Sequence, residues 1–291
     1  MLLKGKNAIV TGSSMGLGKA IATKFIEEGA NVLICARNIK VLFETEKELS
    51  TKLSEDQELY SYPVDISKPE DVEHLYHYSK RKFGKIDILV NNAGIQGVRG
   101  LVDLADYEKW VETININLIG TVHMCMIFLP QFKEQKYGKI INLSGGGSMN
   151  PRKFFSAYAT SKAAVVRFTE TLAEELKEYN VDCNCVAPGA LNTRLLDEVI
   201  LAGAEKIGEE YYKKVLKQKE DGGSSLENAV ELIVYLASEK SDKLTGKSIS
   251  SIWDKWRDDI PEHIEELKNS DIYTLRRILP KDRNKKWGDV E

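Results

Sequence analysis

Residues 7–37, NAIVTGSSMGLGKAIATKFIEEGANVLICAR, hold an apolar run, a glycine-rich turn, a helical pattern and a second apolar run. Asn7–Val10 and Asn31–Ala36 lack the alternation of a half-solvated strand. They read as strands buried on both faces, the habit of a parallel sheet. Between them Ala20, Phe25 and Ile26 mark the apolar side of a helix. Gly12, Gly16 and Gly18 follow a TGxxxGxG spacing between strand and helix. Small residues let the chain turn sharply there, and the helix then offers free N–H groups and the positive end of its dipole. That pairing suits a pyrophosphate, which makes Gly12, Ser14, Met15, Gly16, Leu17 and Gly18 candidate cofactor-binding positions.

The pattern continues along the chain. Leu59–Val64, Ile86–Val90, Lys139–Leu143, Val181–Val186 and Lys247–Ile252 are further short apolar runs, each but the last followed by a helical stretch. Ala164, Val165, Phe168, Leu172 and Leu176 stripe one of those helices. Alternating β and α segments of this size predict an α/β fold with a doubly wound Rossmann-type sheet. At the end of the second strand an acidic residue would bind the 2′-hydroxyl of NAD, but the run is Ile34-Cys-Ala-Arg37. Ala36 offers no carboxylate, and Arg37 can pair with a 2′-phosphate. NADP is therefore the expected cofactor, with NAD as the alternative.

The 291 residues are 42% apolar and 29% charged, with a net charge of −3. This composition excludes wholesale disorder, collagen and a disulfide scaffold, and it lacks the basic footprint of a nucleic-acid binder. No apolar run approaches about 18 residues, so no membrane span is expected. Met1–Lys6 has no signal-peptide layout, and a cytoplasmic protein is expected. Cys35, Cys125, Cys183 and Cys185 form no CxxC pair and read as small buried hydrophobes. His74 and His77 sit on a charged helix without a third ligand nearby, so no metal is expected.

Four more motifs follow in order: Asn91-Asn-Ala-Gly94, Asn117-Leu-Ile-Gly120, Tyr158-Ala-Thr-Ser-Lys162, and Pro188-Gly189 with Thr193 behind it. With the glycine turn, the chain resembles the classical short-chain dehydrogenase/reductase family over about residues 5–252. The resemblance implies a seven-stranded parallel sheet in the order 3-2-1-4-5-6-7. It implies hydride transfer between a nicotinamide and a carbonyl or secondary alcohol. A homodimer or homotetramer is the family's usual assembly, built on the helices that carry Asn117 and Tyr158.

Tyr158 and Lys162 share a helix face at a spacing of four. A neighbouring ammonium lowers the pKa of a phenol, and the phenol can then give or take a proton at a carbonyl oxygen. The resemblance implies that Lys162 also holds the nicotinamide ribose and that Asn117 positions a relay water. It further implies cofactor contacts at Asp65, Ile66, Asn91, Ala93, Gly94, Pro188, Gly189 and Thr193. Asp65 also reads as a turn-capping residue.

One position departs from the family. Its serine lies thirteen residues before the tyrosine, and 158 − 13 = 145 is a glycine here. Ser144, re-aimed by a bulge, is the expected replacement and joins Tyr158, Lys162 and Asn117 as a candidate catalytic residue. Ser148 reaching in from the loop, or no hydroxyl at all, are the alternatives. The missing serine keeps open a second function, a cofactor-binding regulator without catalysis. A charged loop over about Leu191–Gly223, with Tyr211 and Tyr212, is the expected substrate loop.

Residues 1–252 thus form the expected catalytic domain and 253–291 an extension. In the extension Ile260, Ile264 and Leu267 predict one amphipathic helix, and Ile272, Leu275 and Leu279 a second. Trp253 and Trp256 carry much apolar surface. The extension leaves the sheet at its cofactor end, so a cover for the substrate cleft, of its own subunit or of a neighbour, is expected, with an oligomer interface as the alternative.

Overall fold

The computed structural model describes residues 1–287. Seven strands lie in one sheet in the order β3-β2-β1-β4-β5-β6-β7. Every pairing is parallel. The first half is β1 (Asn7–Thr11), α1 (Gly16–Glu27), β2 (Asn31–Ala36), α2 (Ile39–Ser50), β3 (Leu59–Pro63), α3 (Pro69–Phe83) and β4 (Ile88–Asn91). The second half is α4 (Tyr107–Ile114), α5 (Gly120–Gln135), β5 (Gly138–Leu143), α6 (Ser156–Leu176) and β6 (Val181–Ala187). Then come α7 (Arg194–Ala202), α8 (Ala204–Ile207), α9 (Glu209–Glu220), α10 (Leu226–Ala237), β7 (Ser248–Ser250), α11 (Asp259–Glu262) and α12 (Ile264–Lys268).

Each face of the sheet carries its own core. Val10, Ile34, Val90 and Ile141 pack on one side with α1 and α10, through Ile21, Phe25 and Ile233. Ile9, Leu33, Leu89 and Ile140 pack on the other with α3 and α5, through Leu75, Phe128 and Phe132. Strands with both faces buried explain why the runs had no alternation. The order reverses between β1 and β4, so the carboxyl ends of these two strands open the crevice where such sheets bind ligands.

Helices α4 and α5 join through a π turn at Asn115–Ile119. The combined run, Tyr107–Gln135, has mean hydropathy 1.4 over its most apolar 18 residues. That corrects the expectation that no segment is long and apolar enough to span a membrane. In this fold the run lies on the sheet, with Met124, Cys125, Phe128 and Phe132 facing the core.

The described part of the extension packs on α10, α1 and the β7 edge. Trp256 is buried against Tyr235 of α10, with ring centres 6.1 Å apart, while Trp253 stays exposed. Ile260 and Leu267 join the α1/α10 core. Beyond them the expected second helix does not form, because the backbone of 270–275 is bonded elsewhere. Ser248 on the outer edge of β7 donates to the Tyr273 carbonyl at 2.8 Å. Lys247 Nζ donates to the carbonyls of Ser270 at 2.7 Å and Ile272 at 3.1 Å. Leu275 packs beside Val165 and Val166 of α6. The segment therefore finishes an open sheet edge, a feature that invites pairing with other chains if left bare, and it does not cover its own subunit's cleft. Ile260→Ala should cost about 2–5 kcal/mol, the usual range for emptying a buried isoleucine site. Denaturant unfolding measures this, and the KM for substrate should be unaffected; a raised KM at unchanged stability would restore the cover reading.

Candidate active site

The glycine turn can take its shape only without side chains. Gly12 and Gly16 adopt φ of +63° and +55°, in the left-handed region. A Cβ on Gly12 would stand 2.8 Å from the Ala93 Cα, and one on Gly18 2.3 Å from the Gly12 carbonyl oxygen. Thr11 and Asn92 fasten this turn to the end of β4. Thr11 Oγ1 accepts from the backbone N–H of Asn92 and of Ala93, both at 3.0 Å. Asn92 Nδ2 donates to the carbonyls of Thr11 at 2.8 Å and Gly12 at 3.2 Å. Met15, extended, precedes α1 without a side-chain cap, so the first N–H groups of the helix are free for an anion. Ser14 and Leu17 are buried around the turn, and Thr45 Oγ1 donates to the Ser14 carbonyl at 2.8 Å. Thr193, before α7, lies across the cleft, its Cγ2 3.6 Å from where a Gly16 Cβ would be.

The structure divides the other candidate cofactor positions. Arg37 is exposed just past β2 and forms no ion pair among the described residues. Asp65 fulfils its turn-capping role, with Oδ1 accepting from the Ser67 N–H at 3.1 Å and hydroxyl at 2.7 Å. Ile66 is buried over Gly120, whose Cβ would fall 2.8 Å from the Ile66 carbonyl oxygen. The Asn91 side chain turns away into the sheet, donating to Asn142 Oδ1 at 2.9 Å. Ala93 and Gly94 line the cleft through their backbone, Gly94 beside Asn117 Oδ1 and Lys162 Nζ. Gly189, after Pro188, has φ of +86° and packs against Ser224 and Ile252.

Asn117 sits in the π turn and is fully buried. Its amide is used completely: Oδ1 accepts from the Ile95 N–H at 2.8 Å, and Nδ2 donates to the Ile95 carbonyl at 2.9 Å and to Ser161 Oγ at 3.1 Å. This clamp holds the Gly94–Ile95 loop beside α6. Lys162 Nζ donates to the Leu143 carbonyl at 2.8 Å and stands 5.8 Å from the Tyr158 ring centre. Burial pushes the Lys162 pKa down to about 8. Burial also pushes the Tyr158 phenol up, and the cation that works against this is Arg152. The expected lowering by Lys162 does not appear in this arrangement: the charge that opposes the burial of the phenol is that of Arg152.

Ser144 is not where its candidate role requires. Its N–H donates to the Val186 carbonyl at 2.9 Å, continuing the ladder of β5 without a bulge. The side chain therefore keeps the strand's alternation, and its buried Oγ lies beside the Cys185 thiol without a well-formed hydrogen bond. Position 145 is the one that addresses the tyrosine: a Cβ on Gly145 would fall 2.3 Å from the Tyr158 hydroxyl. Ser148 makes no side-chain hydrogen bond either, its N–H donating to the Gly145 carbonyl at 3.1 Å. The tyrosine hydroxyl occupies the space a serine would need.

Helices α7–α9 replace the expected loop. Leu196, Val199, Ile207 and Val215 form a small core with Phe155 and Tyr158, and Tyr211 packs edge-on to Phe155 at 5.4 Å. Arg152 donates to the Tyr211 hydroxyl. Arg152, Asn92 and Thr11 were missed in the sequence. The repeated asparagine beside a glycine turn was a readable signal for Asn92, whereas Arg152, between Pro151 and Lys153, looked like solvated charge. Among the described residues no three His, Cys, Asp or Glu side chains gather as a metal site. All four cysteines are buried, free thiols.

Comparison with known proteins agrees with this geometry. Residues 6–202 match the family model described as short chain dehydrogenase. A diacetyl reductase [(S)-acetoin forming] of Staphylococcus epidermidis is 32% identical over 250 residues, 84% of this chain and 96% of that one. A D-β-hydroxybutyrate dehydrogenase of Cupriavidus necator is 31% identical over 257 residues, 87% and 96% of the two chains. A crystal structure of NAD+-bound xylitol dehydrogenase superposes with a TM-score of 0.79 at 28% identity, covering 86% of this chain and 98% of that one.

Ser144→Ala should change kcat by less than tenfold. Steady-state kinetics on any substrate tests this, because removal of a true oxyanion donor costs about 10²–10³.

Proposed function

Given that the chain belongs to the short-chain dehydrogenase/reductase family, NAD(P)-dependent oxidoreductases of alcohols and carbonyls, we propose that it uses NADP(H) and that Tyr158 is its acid/base. The observation that carries the tyrosine's role is its position: Lys162 and Asn117 meet at Gly94, and the Tyr158 hydroxyl, one helical turn from Lys162, stands over Gly145. The glycine turn fits a dinucleotide, since a Cβ at Gly12 or Gly18 would fill the cradle. Gly12–Gly18, Arg37, Ala93, Gly94, Lys162, Pro188, Gly189 and Thr193 would hold it. When bound, the cofactor supplies or accepts the hydride.

The protein's own part is the proton. Tyr158 Oη donates to the carbonyl oxygen in reduction and accepts from the alcohol in oxidation. Lys162, with its pKa pushed down to about 8, can both hold and release a proton near neutral pH. Asn117 fixes the loop against which both work. The buried site excludes water and so strengthens each of these interactions. The absent serine favours the regulator reading; turnover that depends on Tyr158 would dismiss it.

Arg37 supports the choice of NADP, because it is exposed just past the end of β2, forms no ion pair among the described residues and follows Ala36, which has no carboxylate. Ile119 and Met126, exposed and two helical turns apart, support a homodimer or homotetramer through the α4–α5 run. Four unpaired buried thiols suit a cytoplasmic setting.

Tyr158→Phe should remove nearly all turnover and leave NADPH affinity intact, read by cofactor absorbance and by titration. Near-normal turnover would refute the acid/base role. Arg37→Ala should weaken NADPH binding by about 1.5–3 kcal/mol, the worth of a charged hydrogen bond, and leave NADH binding nearly unchanged. Equal losses for the two cofactors would mean that Arg37 does not read the phosphate.

A further inference from the structure

Next to Tyr158 the structure gathers more positive charge than it neutralises. Glu198 is the carboxylate of this corner, and it is shared: Arg99 Nη2 stands 3.4 Å from it and Arg194 Nε 3.1 Å. Arg152 forms no ion pair among the described residues. Its guanidinium lies 3.9 Å from the Phe155 ring centre and 5.7 Å from that of Tyr158, and its one side-chain partner is the Tyr211 hydroxyl. The Arg99 side chain is only 14% exposed, and its Nε is buried without a hydrogen-bond partner. Arg99 and Arg152 are close enough for their like charges to act on each other.

A guanidinium presents five donors in a rigid fork that matches a carboxylate, and burying it with donors unused is costly. The backbone beside Arg152 is made of glycine. Gly145, Gly146 and Gly147 form a floor without side chains. The Tyr158 hydroxyl stands over the first of them, and Arg152 Nη1 lies 3.5 Å from where a Cβ of the second would be. A small molecule with its carbonyl oxygen on Tyr158 would reach Arg152 within a few bonds.

We propose that the substrate is a short oxo acid, or the matching hydroxy acid, whose carboxylate is bound by Arg152 and Arg99 while its carbonyl oxygen meets Tyr158. This rests on the oxidoreductase reading above. In reduction the carbonyl carbon gains a hydride from the reduced cofactor and its oxygen gains the Tyr158 proton, so C=O becomes CH–OH and the cofactor is left oxidised. The carboxylate passes through unchanged. A guanidinium beside the reacting oxygen also favours negative charge developing there, a task the family gives to its serine and for which this chain has no hydroxyl in place.

The test compares kcat/KM with NADPH for pyruvate, 3-oxobutanoate and 4-oxopentanoate against their methyl esters, which keep the carbonyl and lose the charge. Wild-type protein should prefer at least one acid over its ester by about ten- to a hundredfold, the range of a charged hydrogen bond. Arg152→Met should bring that ratio close to one, and Arg152→Lys should keep part of it, retaining charge without the fork. Esters turned over as well as acids, or equal losses for acid and ester in Arg152→Met, would overturn the proposal and leave Arg152 as a clamp on Tyr211. Calorimetric titration of the protein–NADPH complex with the three acids separates the two readings. Acid binding that is lost in Arg152→Met and in Arg99→Met supports the site even without turnover, in which case the oxidoreductase reading is what fails. Turnover of neutral carbonyls with no acid binding overturns the site and leaves the oxidoreductase reading standing.

Discussion

The backbone of the first turn passes so close to the end of β4 that no side chain fits between them, and the site is hung on that approach. Gly12 meets Ala93, Gly18 meets the Gly12 carbonyl, and Asn92 ties the three together through its amide. Because β1 and β4 are neighbours at the point where strand order reverses, this contact sets where α1 begins and where the Gly94–Ile95 loop lies. Asn117 then clamps that loop to α6 through Ile95 and Ser161, which places Lys162 and Tyr158 one turn apart over the same cleft. The chain of dependence runs from steric closeness, through backbone hydrogen bonds, to the position of a phenol.

The electrostatics of the cleft follow from that packing. Closing α7–α9 over Phe155 and Tyr158 buries the phenol and raises its pKa, and burial beside the end of β5 lowers that of Lys162. Desolvation moves the two pKa values apart, so a Tyr158 phenolate is the stronger base and takes a proton from the Lys162 ammonium readily. The same closure traps Arg152 against Phe155 and Tyr211 instead of leaving it in water. Its charge opposes the burial effect on Tyr158, so the lid that raises the barrier to ionisation brings a cation to offset it.

What could be read from the sequence, and what could not, divides by range. The apolar runs gave all seven strands, to within two residues at most ends, since uniform apolarity is a local property that double burial demands. The glycine turn, Tyr158 and Lys162 were legible because their chemistry fixes their spacing. The second tail helix was not, although Ile272, Leu275 and Leu279 have the right period. Its backbone is claimed by Ser248 and Lys247, and Glu170 accepts from the Leu275 N–H. Those partners lie far away in sequence, and they override local propensity. The side-chain directions of Asp65 and Asn91 were not legible for a related reason: the motif places the residue, while a neighbour, Ser67 or Asn142, decides where the side chain points.

Position 145 shows how one substitution can act on both counts. Counting from the tyrosine gave the correct position, and the structure confirms that its Cβ vector aims at the hydroxyl. Ser144 does not take its place, because β5 stays in register one residue further and its Oγ lies beside Cys185 without a well-formed hydrogen bond. A serine at 145 would have held a substrate oxygen by a neutral hydrogen bond while occupying the floor of the cleft. Glycine gives up that bond and lets the Tyr158 hydroxyl take the space, while Gly146 leaves Arg152 Nη1 beside a backbone without a side chain. Hydrogen bonds to a charged partner are about twice as strong as neutral ones. A cation on the far side of these glycines can therefore stand in for a hydroxyl only if the ligand reaches it with a charge of its own. A neutral carbonyl would meet Tyr158 alone, with no second donor on its oxygen, whereas an anion of the right length would be held at both ends.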